Sequence, residues 1–171
     1  MMKNTVSEPE RFDWLRLIRS ENVGPRTFFR LIEHLGTAAD ALEAAPELSR
    51  RGGRKRAIQI ADPDRLAAEM EALDQVGARM IAFCEPDYPD ALAAIHDPPP
   101  SITVRGAASL LSRRSIGMVG ARNASVAGLR FARGIFTYLG AGGLIVLSGM
   151  ARGIDTACHE GSLETGTVAV L

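Results

Sequence analysis

Cysteine is scarce: Cys84 and Cys158 are the only two in 171 residues. They lie far apart in no metal-like spacing, which argues against a disulfide framework or a metal centre and for a reduced compartment. Charge of one sign is also missing. Lys plus Arg and Asp plus Glu number 20 each, so the net charge is zero. That excludes a protein held to nucleic acid by bulk positive charge; any anion site must be local. No apolar run approaches the roughly 20 residues that span a bilayer. The opening residues 1–10 are polar and lack the apolar core of a secretory signal. The expected setting is the cytoplasm, with no membrane partner. Two nucleotide fingerprints are absent as well. After Gly120 the next glycine is Gly128, so G-x-G-x-x-G is not there, and neither is the P-loop pattern. The second α/β strand ends on Ser148 rather than on an acid that would hold a ribose, so no dinucleotide or other cofactor is expected.

Hydrophobic residues make up 46% of the chain, enough for a real core in one ordinary domain or two small ones. Phe12, Leu15, Leu17 and Ile18 recur at helical spacing. Asn22-Val23-Gly24-Pro25 breaks that helix, and Pro25 suits the first turn of the next. Phe28, Phe29, Leu31, Ile32 and Leu35 give the second helix, which Gly36 should cap. Thr37 can cap a short third helix through Leu42. Residues 50–56 read as a basic, flexible joint, and 58–76 as a further helix with Leu66, Met70 and Leu73 on one face. Composition changes near Gly77, which suggests a helical domain over residues 1–75 and an α/β domain over 76–171.

In that second part, strands are expected at 80–83 and 102–104, with rigid turns at Asp87-Tyr88-Pro89 and Asp97-Pro98-Pro99-Pro100. Strands at 115–119, 144–147 and 167–171 then alternate with helices at 126–139 and 153–164. This β-α-β-α-β run is the mark of a Rossmann-like, doubly wound parallel sheet, here expected to be incomplete at its C-terminus.

Ligands of such sheets sit beyond the carboxyl ends of the strands. Two strand ends here carry unusual chemistry. After the first come Gly120, Ala121, Arg122, Asn123, Ala124 and Ser125; after the second come Ser148, Gly149, Met150, Ala151, Arg152, Gly153, Ile154 and Asp155. Each places small residues and an arginine where a helix begins. Helix N-termini expose unpaired N–H groups and partial positive charge, and arginine can grip a phosphate with two parallel hydrogen bonds. Either turn alone reads equally well as a tight connection capped by Ser125 or Asp155. The pair, each with its arginine, points to phosphate.

These residues carry a resemblance. Val119-Gly120-Ala121-Arg122 with Ser125 and Gly128, then Ser148-Gly149-Met150-Ala151-Arg152-Gly153-Ile154-Asp155 with His159, resembles the DprA/Smf family of DNA-processing proteins. Tyr88-Pro89 and Pro98-Pro99-Pro100 resemble the family's lead-in to its first Rossmann strand. The likeness covers about residues 80–171. Ala121 stands where the family usually has serine, which removes one hydroxyl donor and leaves the backbone N–H. The resemblance implies non-catalytic binding of single-stranded DNA, with phosphate contacts from Gly120, Ala121, Arg122, Ser125, Gly128, Ser148, Gly149, Arg152 and Gly153. It also implies loading of the RecA recombinase during natural transformation, a homodimer, and an N-terminal helical domain of helix-hairpin-helix or SAM-like type. A related Rossmann-like group, the nucleoside-monophosphate phosphoribohydrolases of the lysine-decarboxylase-like family, is the enzymatic alternative; its Pro-Gly-Gly-x-Gly-Thr-x-x-Glu string would fall beyond Leu171.

Other residues read more plainly. Val23-Gly24-Pro25-Arg26 is similar to the turn of a helix-hairpin-helix, but a hairpin that merely needs Gly and Pro explains it as well. The basic joint at 50–56 reads first as a solvated linker. His159 follows Asp155 by one turn and is expected to be buried or capping. Phe131, Phe136 and Tyr138 are expected in core or dimer packing, and Trp14 in the core. Cys158 beside His159 is no catalytic dyad, since neighbours on a helix point to different faces.

Overall fold

A computed structural model describes residues 3–51 and 58–171, except for the side chains of Ser49 and Arg51. The chain divides into two compact units, Met1–Ala107 and Ala108–Leu171.

The first unit opens with α1 (Glu8–Ile18), α2 (Pro25–Leu35), α3 (Ala38–Arg51) and α4 (Pro63–Gln75). Ser7 caps α1 by accepting from Glu10 N, and the break after α1 places Asn22 in the left-handed region at φ 59°. Gly36 ends α2 at φ 92°, a conformation that favours glycine. Thr37 accepts from Asp40 N and donates to its carboxylate, as a helix cap should. The third helix is longer than its sequence suggested. It runs through Pro46 to Arg51, so Arg50 and Arg51 of the expected joint are helical and the remainder of the joint lies outside the described residues. Conversely, 58–62 is not helical. Asp62 precedes Pro63, whose ring disfavours a helical predecessor, and Asp62 at ψ 124° instead caps α4 through Asp64 N and Arg65 N.

Strands β1 (Ala78–Ala82) and β2 (Ser101–Arg105) pair antiparallel, from Ala78 opposite Arg105 to Ala82 opposite Ser101, with the short α5 (Asp90–Ala93) between them. The expected turns flank α5; Tyr88 is buried and its hydroxyl donates to Pro99 O at 2.7 Å. Met80, Ala82 and Cys84 join Trp14, Leu15, Leu17, Phe28 and Leu66 in one apolar core. A file of rings continues it, from Trp14–Phe28 at 4.7 Å to Phe83–Tyr88 at 5.2 Å. Sequence composition put the change of domain near Gly77. The compact boundary falls later because β2 pairs with β1, and β1 packs Met80 and Ala82 into the core of the helices.

The second unit begins with a 3-10 turn (Ala108–Ser112) and continues as β3 (Ser115–Gly117), α6 (Val126–Ala141), β4 (Ile145–Gly149), α7 (Ile154–Ser162) and β5 (Thr167–Val170). The three strands form a parallel sheet in the order β3-β4-β5, the first half of the expected Rossmann-like arrangement. Its core is Val146 with Ala132, Phe136, Ala157 and Cys158. Phe136 is therefore a core residue as expected, whereas Phe131 and Tyr138 stand exposed on the outer face of α6.

Candidate nucleic-acid interface

The two turns meet at the carboxyl ends of β3 and β4, because parallel strands joined by helices release both connections on the same edge. Each feeds a helix of adequate length, 16 residues for α6 and 9 for α7. At the first turn Ser125 caps α6: its hydroxyl oxygen accepts from Gly128 N at 3.1 Å, which leaves the hydroxyl hydrogen available. Among the described residues the N–H groups of Val126 and Ala127 have no protein acceptor. Arg122 is exposed, and so is Arg152 in the second turn. Neither guanidinium makes an ion pair or hydrogen bond among the described residues.

The glycines turn out to serve the joint between the turns. Ile154 N donates to Ala121 O at 3.2 Å. Gly153 sits at φ 90°, where a Cβ would lie 2.6 Å from Arg122 O and closer still to Ala121 O. A Cβ on Gly120 would meet the Ile154 side chain at 2.5 Å, and one on Gly149 would meet Asp155 Oδ2 at 2.9 Å. Glycine is required at 120 and 153 so that one turn can lie on the other. Gly128 lies in the first turn of α6, where a Cβ would find ordinary contact with Ser125 Oγ at 3.4 Å.

Two residues behave differently from their sequence reading. Ser148 is buried, and its hydroxyl donates to Met118 O at 2.8 Å, so its hydrogen is committed within the fold. Asp155 is not the cap of α7; Gly153 holds that position, with no side-chain cap. Asp155 lies in the first turn, 8% exposed, with its carboxylate against Gly149. An anion at the positive end of α7 is already supplied by the chain itself. The free cationic groups thus lie on the first turn and on Arg152.

His159, expected to be buried or capping, is half-buried, and it makes two ring contacts that its sequence does not announce. Nε2 donates to Gly149 O at 2.8 Å, since a carbonyl can only accept, and Nδ1 faces Thr167 Oγ1 at 2.7 Å. The ring braces the end of β4 against β5. Both its nitrogens are used, and burial, with the Asp155 charge adding to it, pushes the neighbouring Cys158 thiol up. The His159 ring nitrogens bond Thr167 and Gly149, not Cys158. The described residues include no cluster of three or more His, Cys, Asp or Glu that could hold a metal, and no helix long and apolar enough to cross a membrane.

The N-terminal hairpin turn is braced from behind. Ser20 Oγ donates to Arg16 O and accepts from Ala61 N, while Glu21 N bonds Gln59 O and the Glu21 carboxylate accepts from Gln59 N. An acidic side chain at this turn suits packing better than phosphate.

Residues 79–171, more than half of the chain, match the family described as DNA recombination-mediator protein A. The chain belongs to the DprA/Smf family. Residues 8–72 match the DprA-like N-terminal HHH domain, which accounts for the hairpin of α1 and α2. The DNA processing protein DprA of Bacillus subtilis is 32% identical over 101 residues, 58% of this chain and 34% of that protein. The Protein Smf of Synechocystis is 29% identical over 180 residues, 97% of this chain and 45% of that protein. This chain thus spans less than half the length of either DprA/Smf relative. The X-ray structure of DprA from Streptococcus pneumoniae superposes with a TM-score of 0.64 over 98% of this chain and 58% of that one, at 20% identity, a likeness of fold.

Proposed function

We propose that this chain binds single-stranded DNA without chemistry, through phosphate contacts at the first α/β turn and Arg152. The observation that carries the reading is the pair of unpaired, exposed arginines, Arg122 and Arg152, on two turns that glycine packing holds together. Ser125 contributes its free hydroxyl hydrogen, and Val126 and Ala127 their backbone N–H groups. Ala121, Gly120, Gly128, Gly149 and Gly153 shape this surface, and Ser148 stiffens it from beneath. Membership of a family described by recombination mediation supports the same ligand. It also supports delivery of the strand to the RecA recombinase by a dimer acting in the cytoplasm. Gel-shift titration with a single-stranded oligonucleotide at low salt tests the reading. Retarded complex is expected, and no complex with a folded chain rejects it.

A further inference from the structure

Beyond each strand end a large apolar side chain stands in solvent, two or three residues before an exposed arginine. Val119 follows β3 and is 88% exposed; Met150 follows β4 and is 65% exposed. Gly117 lies opposite Leu147 in the parallel register, so Val119 and Met150 leave neighbouring strands on the same edge of the sheet. Neither belongs to the apolar core of its unit. Arg122 lies three residues beyond Val119 and Arg152 two beyond Met150, both unpaired among the described residues. Bare apolar surface costs free energy in water, and its placement beside unpaired cations selects the occupant. That occupant carries regularly spaced anions and flat apolar faces together. A polynucleotide does so, and a single strand offers base faces that a duplex hides in its stack.

We propose that Val119 and Met150 form an aliphatic platform for nucleobases, alongside the phosphate contacts of Arg122 and Arg152. The inference rests on the reading of the site as a single-strand binder and adds how the chain distinguishes a strand with bases from a bare polyanion. Every base has a face to offer, so the platform is indifferent to sequence. The thioether of Met150 is polarizable and adaptable, which suits contact with rings of either size.

Fluorescence anisotropy with two labelled strands of equal length and charge tests this, one of thymidines and one of abasic sugar-phosphate units. The full chain is expected to bind the thymidine strand about five- to tenfold more tightly. The double variant Val119→Ala/Met150→Ala loses that preference and retains its affinity for the abasic strand; Met150→Ala alone loses part of it. Tyr138→Ala, on the outer face of α6, leaves both affinities unchanged. Equal affinity of the unaltered chain for the two strands overturns the platform, as does a folded double variant that keeps the preference or weakens on both strands alike. Failure to bind either strand removes the single-strand reading itself, and the platform with it.

Discussion

Ile154 N donates to Ala121 O across 3.2 Å, and that bond ties the turn after β3 to the turn after β4. The geometry makes the turns interdependent. A change that pushes them apart alters stability and binding together, whereas removal of an exposed charge alters binding alone.

Arg122→Ala and Arg152→Ala should therefore weaken single-strand binding without lowering thermal stability. Losing one charge-assisted contact to phosphate costs on the order of 1.5–3 kcal/mol. Both side chains are exposed and unpaired, so the fold has little to lose. Titration of the folded variants decides; unchanged affinity in both removes these arginines from the site.

Binding should be nearly blind to sequence and sensitive to salt. Phosphate contacts carry no base identity. With Z phosphates engaged, log affinity falls against log salt with a slope of about −0.7Z for single strands. The slope should become shallower in Arg122→Ala. An identical slope in the variant contradicts a phosphate contact at that position.

Gly153→Ala should be the most damaging of the glycine substitutions. It forces a left-handed backbone on alanine, at about 1–3 kcal/mol, and drives a methyl group into the Ala121 and Arg122 carbonyls. Gly149→Ala meets only the flexible end of Asp155 and should cost less. Gly24→Ala faces open space at φ −86°, so only the N-cap preference is lost, about 0.5–1 kcal/mol. Thermal melts of the three give the order. If Gly24→Ala abolishes DNA binding in a folded chain, the hairpin turn is a DNA reader and its packing role is secondary.

Acid should destabilise the first unit through Glu85. Burial pulls its pKa up, but two 2.7 Å bonds from Arg11 and one from Ala82 N outweigh that, so the folded value lies below the ordinary one. A carboxylate whose pKa is lowered by folding stabilises above its unfolded pKa, about 4.3, and that stability is lost as pH falls through the folded value. Glu85→Gln should flatten this acid limb. Arg11→Ala, which strands a buried carboxylate, should cost about 3 kcal/mol at neutral pH. An unaltered acid limb in Glu85→Gln would assign the titration to other carboxylates.

Much of this architecture was legible in the sequence. Val146 and Phe136 sit on apolar periods that reveal β4 and α6, and the strings around Arg122 and Arg152 mark the turns. Pairing across distance was not legible. Nothing in a short apolar run says that Ala82 lies opposite Ser101, so the pairing of β1 with β2, and their place in one compact unit with the helices, is visible only in the structure. Residues 58–61 have helical composition, but Pro63 and the bonds to Ser20 and Glu21 hold them outside the helix. At the site, residue type gave Ser148 and Asp155 plausible roles. Burial revised them, because a hydroxyl committed to Met118 O has no hydrogen left to donate. Val119 and Met150 are plain apolar residues in the sequence, Val119 within an expected strand, and only their exposure gives them meaning.

As a 171-residue chain by itself, the protein should self-associate through β5. β5 pairs with β4 on one side, and among the described residues no strand pairs with its other side. Val170 is exposed there, with Leu171 beside it. An apolar edge with open N–H and C=O groups is a template for pairing with another chain. A charge at the edge opposes such pairing without disturbing the core, since Val170 contributes nothing to the cluster around Val146. Val170→Lys should therefore lower the mass measured by light scattering at high protein concentration and leave the melting temperature within the range of a surface substitution, about ±0.5 kcal/mol. Abasic-strand affinity should be unchanged as well, because the edge lies away from Arg122. A chain that is monomeric at every concentration, with or without the lysine, would show that the edge is covered in solution and that its apolar end is harmless.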